Sequence, residues 1–281
     1  MALSTQGFVI NKLTISQILS ILPNEPNLLK EHFFKDQEIG HPLGIGWNKI
    51  EFHRDFCRYS GLITASKTSG DYKLSVLGET IAQYDPNLAD LSTWWLIHIN
   101  LVLDKDTNVY SALFSTLPNL TLSKDEIIRD IVTSLGPSVS AAIIKKDVEA
   151  ILRWMTDSPL GSLGTLVTDG KNWKRRKPSR APSPYLIAYS ALELHRRSKG
   201  NASSSRISEL VKGPGSLSSI FQLDDGDLKA GLRQAQALLT ADYLSVSDTA
   251  GLDTVYFGNN SSVDIARKYY LSHHQLQNTA S

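Results

Sequence analysis

Apolar residues recur at three- and four-residue intervals through most of the chain, so helices dominate the expected secondary structure. Leu13, Ile15, Ile18, Leu19, Ile21 and Leu22 form the first such run, closed by Pro23. A second helix is expected over residues 27–36. The segment Gly40-His41-Pro42-Leu43-Gly44-Ile45-Gly46 breaks the pattern, and residues 47–59 restore it. There Ile50, Phe52, Phe56, Cys57 and Tyr59 are apolar, while Asn48, Glu51, Arg54, Asp55 and Arg58 are polar. Gly61 suits a C-cap. A small hairpin is expected next, from residues 62–66 through a turn at 68–71 to residues 72–76 and Gly78.

Further helices are expected over residues 92–103, 124–134 and 140–155. Residues 169–184 then carry many cations and Pro178, Pro182 and Pro184, which reads as a loop and as the main domain boundary. Beyond it come helices over residues 185–197, 205–212 and 225–241, the last with Leu228, Leu232, Ala235 and Leu239 on one face. A second hairpin joins residues 243–247 to residues 253–257 around Ala250-Gly251. Helix, helix, turn, helix and hairpin is the order of a winged helix, and it occurs twice. The expected fold is mainly α with short β hairpins: two winged-helix-like modules joined by a helical middle region and a basic loop. The corresponding divisions are residues 1–116, 117–168, 169–184 and 185–271, with a polar, frayed tail at 272–281. DNA binding does not follow from this order alone, because many winged helices bind protein.

The 281 residues include 29 basic and 28 acidic side chains, a net charge of +1, so nucleic-acid affinity would have to come from local clustering. A hydrophobic share of 41% and a charged share of 20% describe a globular chain. One cysteine, Cys57, excludes an internal disulfide and a cysteine-based zinc finger. With neither a signal-peptide pattern nor a long apolar span, a cytoplasmic protein that does not engage membranes is expected.

Several chemistries are disfavoured. Five residues separate Gly164 from Gly170 where a phosphate loop needs four, and Asn172 stands where that loop has Ser or Thr. Gly44-Ile45-Gly46 lacks the third glycine of a dinucleotide fold. No nucleotide or organic cofactor is therefore expected. The informative charge feature is Lys171, Lys174, Arg175, Arg176, Lys177 and Arg180, six cations in ten residues with Trp173 among them. They suit phosphate contacts beside one stacking surface. If all six met phosphates, the salt slope of binding would approach about −5. Asn48, Lys49, Arg54 and Arg58 could reach DNA from the helix at residues 47–59, and Lys229, Arg233 and Gln236 form a similar face on the later one. The competing reading makes each of these a solvated face. His98 and His53 read as buried structural histidines, His273-His274 as solvated and Cys57 as core. Metal-assisted strand cleavage needs converging carboxylates, often beside a lysine. Asp71-Tyr72-Lys73, with Asp55 or Glu51, is the nearest pattern, but it is short enough to arise by chance. Asp85 and Asp90 serve equally well as helix caps.

The ordered set Leu43-Gly44-Ile45-Gly46-Trp47-Asn48-Lys49, Tyr59-Ser60-Gly61-Leu62-Ile63 and Leu74-Ser75-Val76-Leu77-Gly78 resembles a bacterial family long known only as a domain of unknown function. So do Tyr84-Asp85-Pro86-Asn87-Leu88-Ala89-Asp90, Thr93-Trp94-Trp95-Leu96-Ile97-His98, Lys145-Lys146-Asp147-Val148 and Asp157-Ser158-Pro159-Leu160-Gly161-Ser162-Leu163-Gly164. This is the SspB family of DNA phosphorothioation proteins, distinct from the protease adaptor of the same name. The resemblance implies a nicking endonuclease that opens one strand of double-stranded DNA for sulfur incorporation; dependence on a divalent metal, magnesium or manganese, is the accompanying expectation. Its implied partners are a cysteine desulfurase, an ATPase and a sulfurtransferase related to PAPS reductase. Many relatives open with a His-Glu-Thr-Phe-like motif that Gly7-Phe8-Val9-Ile10 does not reproduce, and no catalytic residue carries over. Two alternatives stay open: a non-catalytic DNA-binding subunit that positions the sulfurtransferase, and a winged-helix transcription regulator.

Overall fold

In this computed structural model residues 3–37, 40–66, 70–107, 109–116, 120–200, 202–249 and 252–279 are described. Parts of the expected turns at 68–71 and 250–251 lie outside them. The chain forms two compact units, Met1–Arg176 and Lys177–Ser281. It is mainly helical, with small antiparallel sheets.

The first unit opens with α1 (Lys12–Ile21), α2 (Glu31–Asp36) and α3 (Trp47–Tyr59). Asn11 starts α1, its side-chain oxygen accepting from the N–H groups of Leu13 and Thr14. The second helix is shorter than expected: residues 27–30 form turns, although Leu28 and Leu29 are buried there. Helix α3 ends as Gly61 takes a φ of 77°, letting the Leu62 N–H bond back to the Cys57 carbonyl at 2.8 Å. Strands β1 (Ile63–Ala65) and β2 (Tyr72–Leu74) pair antiparallel.

Where extended chain is expected to run on to Gly78, helix α4 (Val76–Tyr84) begins instead. The Ser75 hydroxyl accepts from the Gly78 N–H at 2.9 Å, which outweighs the β-branched Val76 as a local signal. Gly78 is required by packing, because a Cβ there would stand 1.9 Å from the Leu62 carbonyl oxygen. Gly78→Ala is expected to destabilise the first unit by about 3 kcal/mol, measured as a lower urea midpoint; an unchanged midpoint would contradict the close approach.

Helix α5 (Leu91–Leu103) is buried on every side from Ser92 to Leu103. It is followed by α6 (Val109–Thr116), β3 (Thr121–Ser123), α7 (Lys124–Leu135), α8 (Ala141–Asp157), β4 (Leu166–Thr168) and β5 (Asn172–Arg175). Ser123 and Glu126 cap α7 reciprocally. Trp154 of α8 is central to the core, its ring near those of Phe52, Phe56 and Tyr110. Part of the basic segment is thus strand rather than loop: β5 pairs with both β3 and β4, giving a sheet of order β3-β5-β4, while residues 176–183 form neither helix nor strand.

The second unit contains α9 (Pro184–Lys199), β6 (Ser204–Arg206), α10 (Ile207–Val211), α11 (Leu217–Phe221), α12 (Asp225–Leu238), β7 (Leu244–Thr249), β8 (Leu252–Phe257) and α13 (Ser262–Thr279). The expected helix at 205–212 is split, because Ser204–Arg206 pairs with β8. Helix α12 packs closely on α9: a Cβ at Gly231 would lie 2.3 Å from Ile187 Cδ1. The expected tail is helical to Thr279. His273 packs on Tyr269 at 4.2 Å between ring centroids rather than standing in solvent, and the side chain of His274 lies outside the described residues.

The internal repeat differs from the expected one. Helix, short strand, two or more helices and a hairpin, with the first strand bonded to the last, describes α6 to β5 in the first unit. It also describes α9 to β8 in the second, where the sheet order is β6-β8-β7. The hairpin after α3 has only two strands. The partner of the second unit's pattern is therefore residues 109–175, which the sequence reading divides between a helical middle region and a loop.

Candidate nucleic-acid interface

Strand alternation divides the basic segment by face. Lys171, Lys174 and Arg176 are exposed, and Trp173 is half-buried. Arg175 is not on the surface. It is 4% exposed, with its guanidinium 5.6 Å from the centre of the Phe114 ring, and burial pushes its pKa down to about 10. It remains charged at neutral pH but cannot meet a phosphate without leaving the core. In the second unit Lys177 is ion-paired with Asp227, which raises its pKa, while Arg180 is exposed. The Asp169 carboxylate fixes the turn between β4 and β5, accepting from the N–H groups of Lys171 and Asn172 at 2.9 and 2.7 Å. These bonds hold its pKa below the usual carboxylate range.

Helix α8 precedes this hairpin and exposes Ala141, Ala142, Lys145 and Lys146 in its first turns. Its later turns are covered by residues 3–8. The buried Asp147 accepts from the Thr5 N–H at 2.9 Å and hydroxyl at 2.6 Å, Arg153 donates to the Gly7 carbonyl at 2.9 Å, and the Trp154 indole donates to the Phe8 carbonyl at 2.7 Å. The segment that departs from the His-Glu-Thr-Phe-like motif is thus a strap along α8. The lysine pair was legible as part of a family motif; its place on an exposed helix start was not read. Two alanines followed by two lysines beyond a Ser cap was the available signal.

Burial of Asp147 raises its pKa despite the Thr5 bonds. A carboxyl with a raised folded pKa stabilises most below its unfolded value and loses that contribution as pH rises through the folded one. Wild-type stability relative to Asp147→Asn is accordingly expected to fall as pH rises above about 3.9, the free carboxyl value. Urea midpoints of both proteins check this, and a pH-independent difference would contradict it.

On α3, Asn48, Lys49 and Arg58 are exposed, and Gly46 precedes the helix without a side-chain cap. Arg54 is instead held by Asp55 at 2.9 Å and Glu51 at 3.4 Å, between the Trp47 and Tyr72 rings. Asp71 is ion-paired with Lys30, and Lys73 is exposed. Both candidate carboxylates therefore already serve cations, and among the described residues no three His, Cys, Asp or Glu side chains form a metal-holding group. Asp55, Asp71 and Lys73, as placed, do not fit a magnesium ligand set. In α12, Lys229 pairs with Asp253, Arg233 with Asp248 at 2.6 Å, and Gln236 accepts from the Val246 N–H at 2.6 Å, so this face is tied to its own hairpin.

His98 and His53 are structural. His98 Nδ1 lies 2.8 Å from the Tyr110 hydroxyl in full burial. His53 faces the Lys49 carbonyl at 2.7 Å and accepts from the Asn11 N–H, and its pKa is lowered by burial. Cys57 is buried, which pushes its thiol pKa far up and makes it inert.

A family model described as a protein of unknown function, DUF4007, matches residues 19–270. The chain belongs to the DUF4007 family. No curated protein matches its sequence significantly. Two solved structures have its fold: a magnesium-ion-bound SspB crystal structure, at a TM-score of 0.78 and 18% identity, and a further SspB crystal structure, at 0.76 and 19%. Each comparison covers 97% of this DUF4007 chain and 87% of the SspB chain. Among the described residues no helix is long and apolar enough to cross a membrane.

Proposed function

We propose that this DUF4007 protein is a DNA-binding component of a DNA phosphorothioation system and that it opens one strand of the duplex for sulfur incorporation. The observation that carries the DNA part is the pairing, within residues 109–175, of an exposed Lys145-Lys146 helix start with a hairpin bearing Lys171, Trp173, Lys174 and Arg176. Helix-strand-helix-helix-hairpin order supports reading this segment as a winged helix, with α8 entering the major groove and the β4–β5 hairpin lying on the phosphates. The second unit supports the same topology but not the same use, since its fourth helix, α12, begins with Asp224, Asp225 and Asp227 and the α12 cations Lys229 and Arg233 face acids.

Likeness to SspB supports the phosphorothioation setting, with a cysteine desulfurase, an ATPase and a PAPS-reductase-like sulfurtransferase as partners. The ion pairs that engage Asp55 and Asp71 favour the second reading, a subunit that positions the sulfurtransferase on DNA without cutting it. Conversion of supercoiled plasmid to open circle by purified full chain, with magnesium or manganese and with EDTA, separates the two. Open circles that require the metal are the expected result for a nicking enzyme. DNA binding without open circles would move the assignment to the positioning subunit.

A further inference from the structure

We propose that the first unit holds a separate nucleotide subsite, a cleft of about 560 Å³ that takes one unstacked, amino-bearing nucleotide of the bound DNA; this rests on the DNA reading above. Lys12, Leu88, Leu91, Trp94, Asp157 and Ser162 line the cleft. Two of the segments that carry the family resemblance, residues 84–90 and 157–164, meet there, and neither belongs to the interface at the start of α8 and on the hairpin.

The walls are preformed. Leu88 adopts a φ of 52°, a backbone region that costs a branched residue about 1 kcal/mol. Its neighbours hold it: the buried Asp85 carboxylate accepts from Ala89 N–H at 2.7 Å, Asp90 N–H at 3.0 Å and the Thr93 hydroxyl at 2.6 Å. The Trp94 indole donates to the Leu88 carbonyl at 2.9 Å. Elsewhere in the lining the Ser158 hydroxyl bridges the Trp154 carbonyl and the Leu160 N–H.

The charges that face this space are not used by the fold. The side chains of Lys12 and Asp157 make no ion pair among the described residues, although both line the cleft. A cation and a carboxylate lining the same cleft as the accessible apolar side chains of Ala89, Leu91 and Pro159 match the three parts of a nucleotide. Lys12 suits the phosphate, and it stands at the start of α1, whose dipole adds to the attraction. The accessible apolar side chains suit the base face. Asp157 accepts from an exocyclic amino group, which cytosine has and thymine lacks. The volume falls in the range of small-ligand sites, roughly 300–1,000 Å³. Reading a base in such a cleft requires it to leave the stack, as enzymes acting on DNA commonly arrange. Along α8, Asp157 lies about 18 Å from Lys145, the length of about five base pairs.

The test measures full-chain affinity for a 20-base-pair duplex, fully paired or carrying one bulged cytosine or one bulged thymine. Wild type is expected to bind the bulged cytosine about 10-fold tighter than the paired duplex and to prefer it over bulged thymine. Asp157→Asn should lose the cytosine preference and Lys12→Gln the gain from the bulge, with paired-duplex affinity unchanged in both. Equal binding of bulged and paired duplexes, with paired affinity intact, overturns the subsite and leaves the DNA interface standing. If neither duplex binds, the interface fails. Deoxycytidine monophosphate is then titrated against tryptophan fluorescence, and absence of a saturable change overturns the cleft as well.

Discussion

Replacing Lys171, Lys174 and Arg176 together with alanine is expected to weaken duplex binding on the order of 100-fold at 0.1 M salt. Each phosphate contact releases counterions worth about 0.9 in the slope of log affinity against log salt, so three contacts should flatten it by about 2.7. All three side chains are exposed on the hairpin or just beyond it, within one unit, so the substitutions leave the core untouched. Affinity measured at several salt concentrations checks both figures. Loss of affinity without a change in slope would mean that the cations act through folding. An unchanged affinity would remove the hairpin from the interface.

Arg175→Ala is expected to do the opposite. Its neighbours on the strand face solvent, whereas Arg175 is buried over Phe114. Truncation removes that packing and opens a cavity, at a cost of about 2–4 kcal/mol. The salt slope of the folded protein should stay unchanged, because a buried guanidinium releases no counterion. Thermal unfolding and the salt titration, run on the same preparation, separate the two effects. A stable variant with a flattened slope would place Arg175 on the DNA-binding face and contradict the strand assignment.

Arg175 also explains why the sequence misleads in this region. A half-buried strand is recognised by apolar residues at alternate positions, and in β5 the inward position is filled by an arginine. With prolines nearby, Asn172–Arg175 therefore reads as linker. Helix α3 was legible to the residue because glycines bound it and its burial period is plain. Helix α4 was hidden by Val76 and Gly78, whose reasons are tertiary: a Ser75 cap and a close approach to Leu62. Helix α13 was not expected, although Ile265, Ala266, Tyr269 and Tyr270 share one buried face at helical spacing, and its polar end reads as a tail.

The candidate interface was half legible. Charge clustering marks Lys171, Lys174 and Arg176 from sequence alone, since the rest of the chain is nearly neutral. Ion pairing is invisible there. Arg54, Lys177, Lys229 and Arg233 look like available cations until Asp55, Asp227, Asp253 and Asp248 are found beside them. Asp71 looks like a metal ligand until Lys30 is found beside it.

Hydrogen exchange of the full chain, free and bound to a 20-base-pair duplex, tests the location of the interface most directly. Slowed exchange in residues 141–146 and 168–176, with residues 225–238 unaffected, is the result expected if α8 and the β4–β5 hairpin carry DNA. Protection confined to residues 225–238, or to the exposed start of α3, would contradict it.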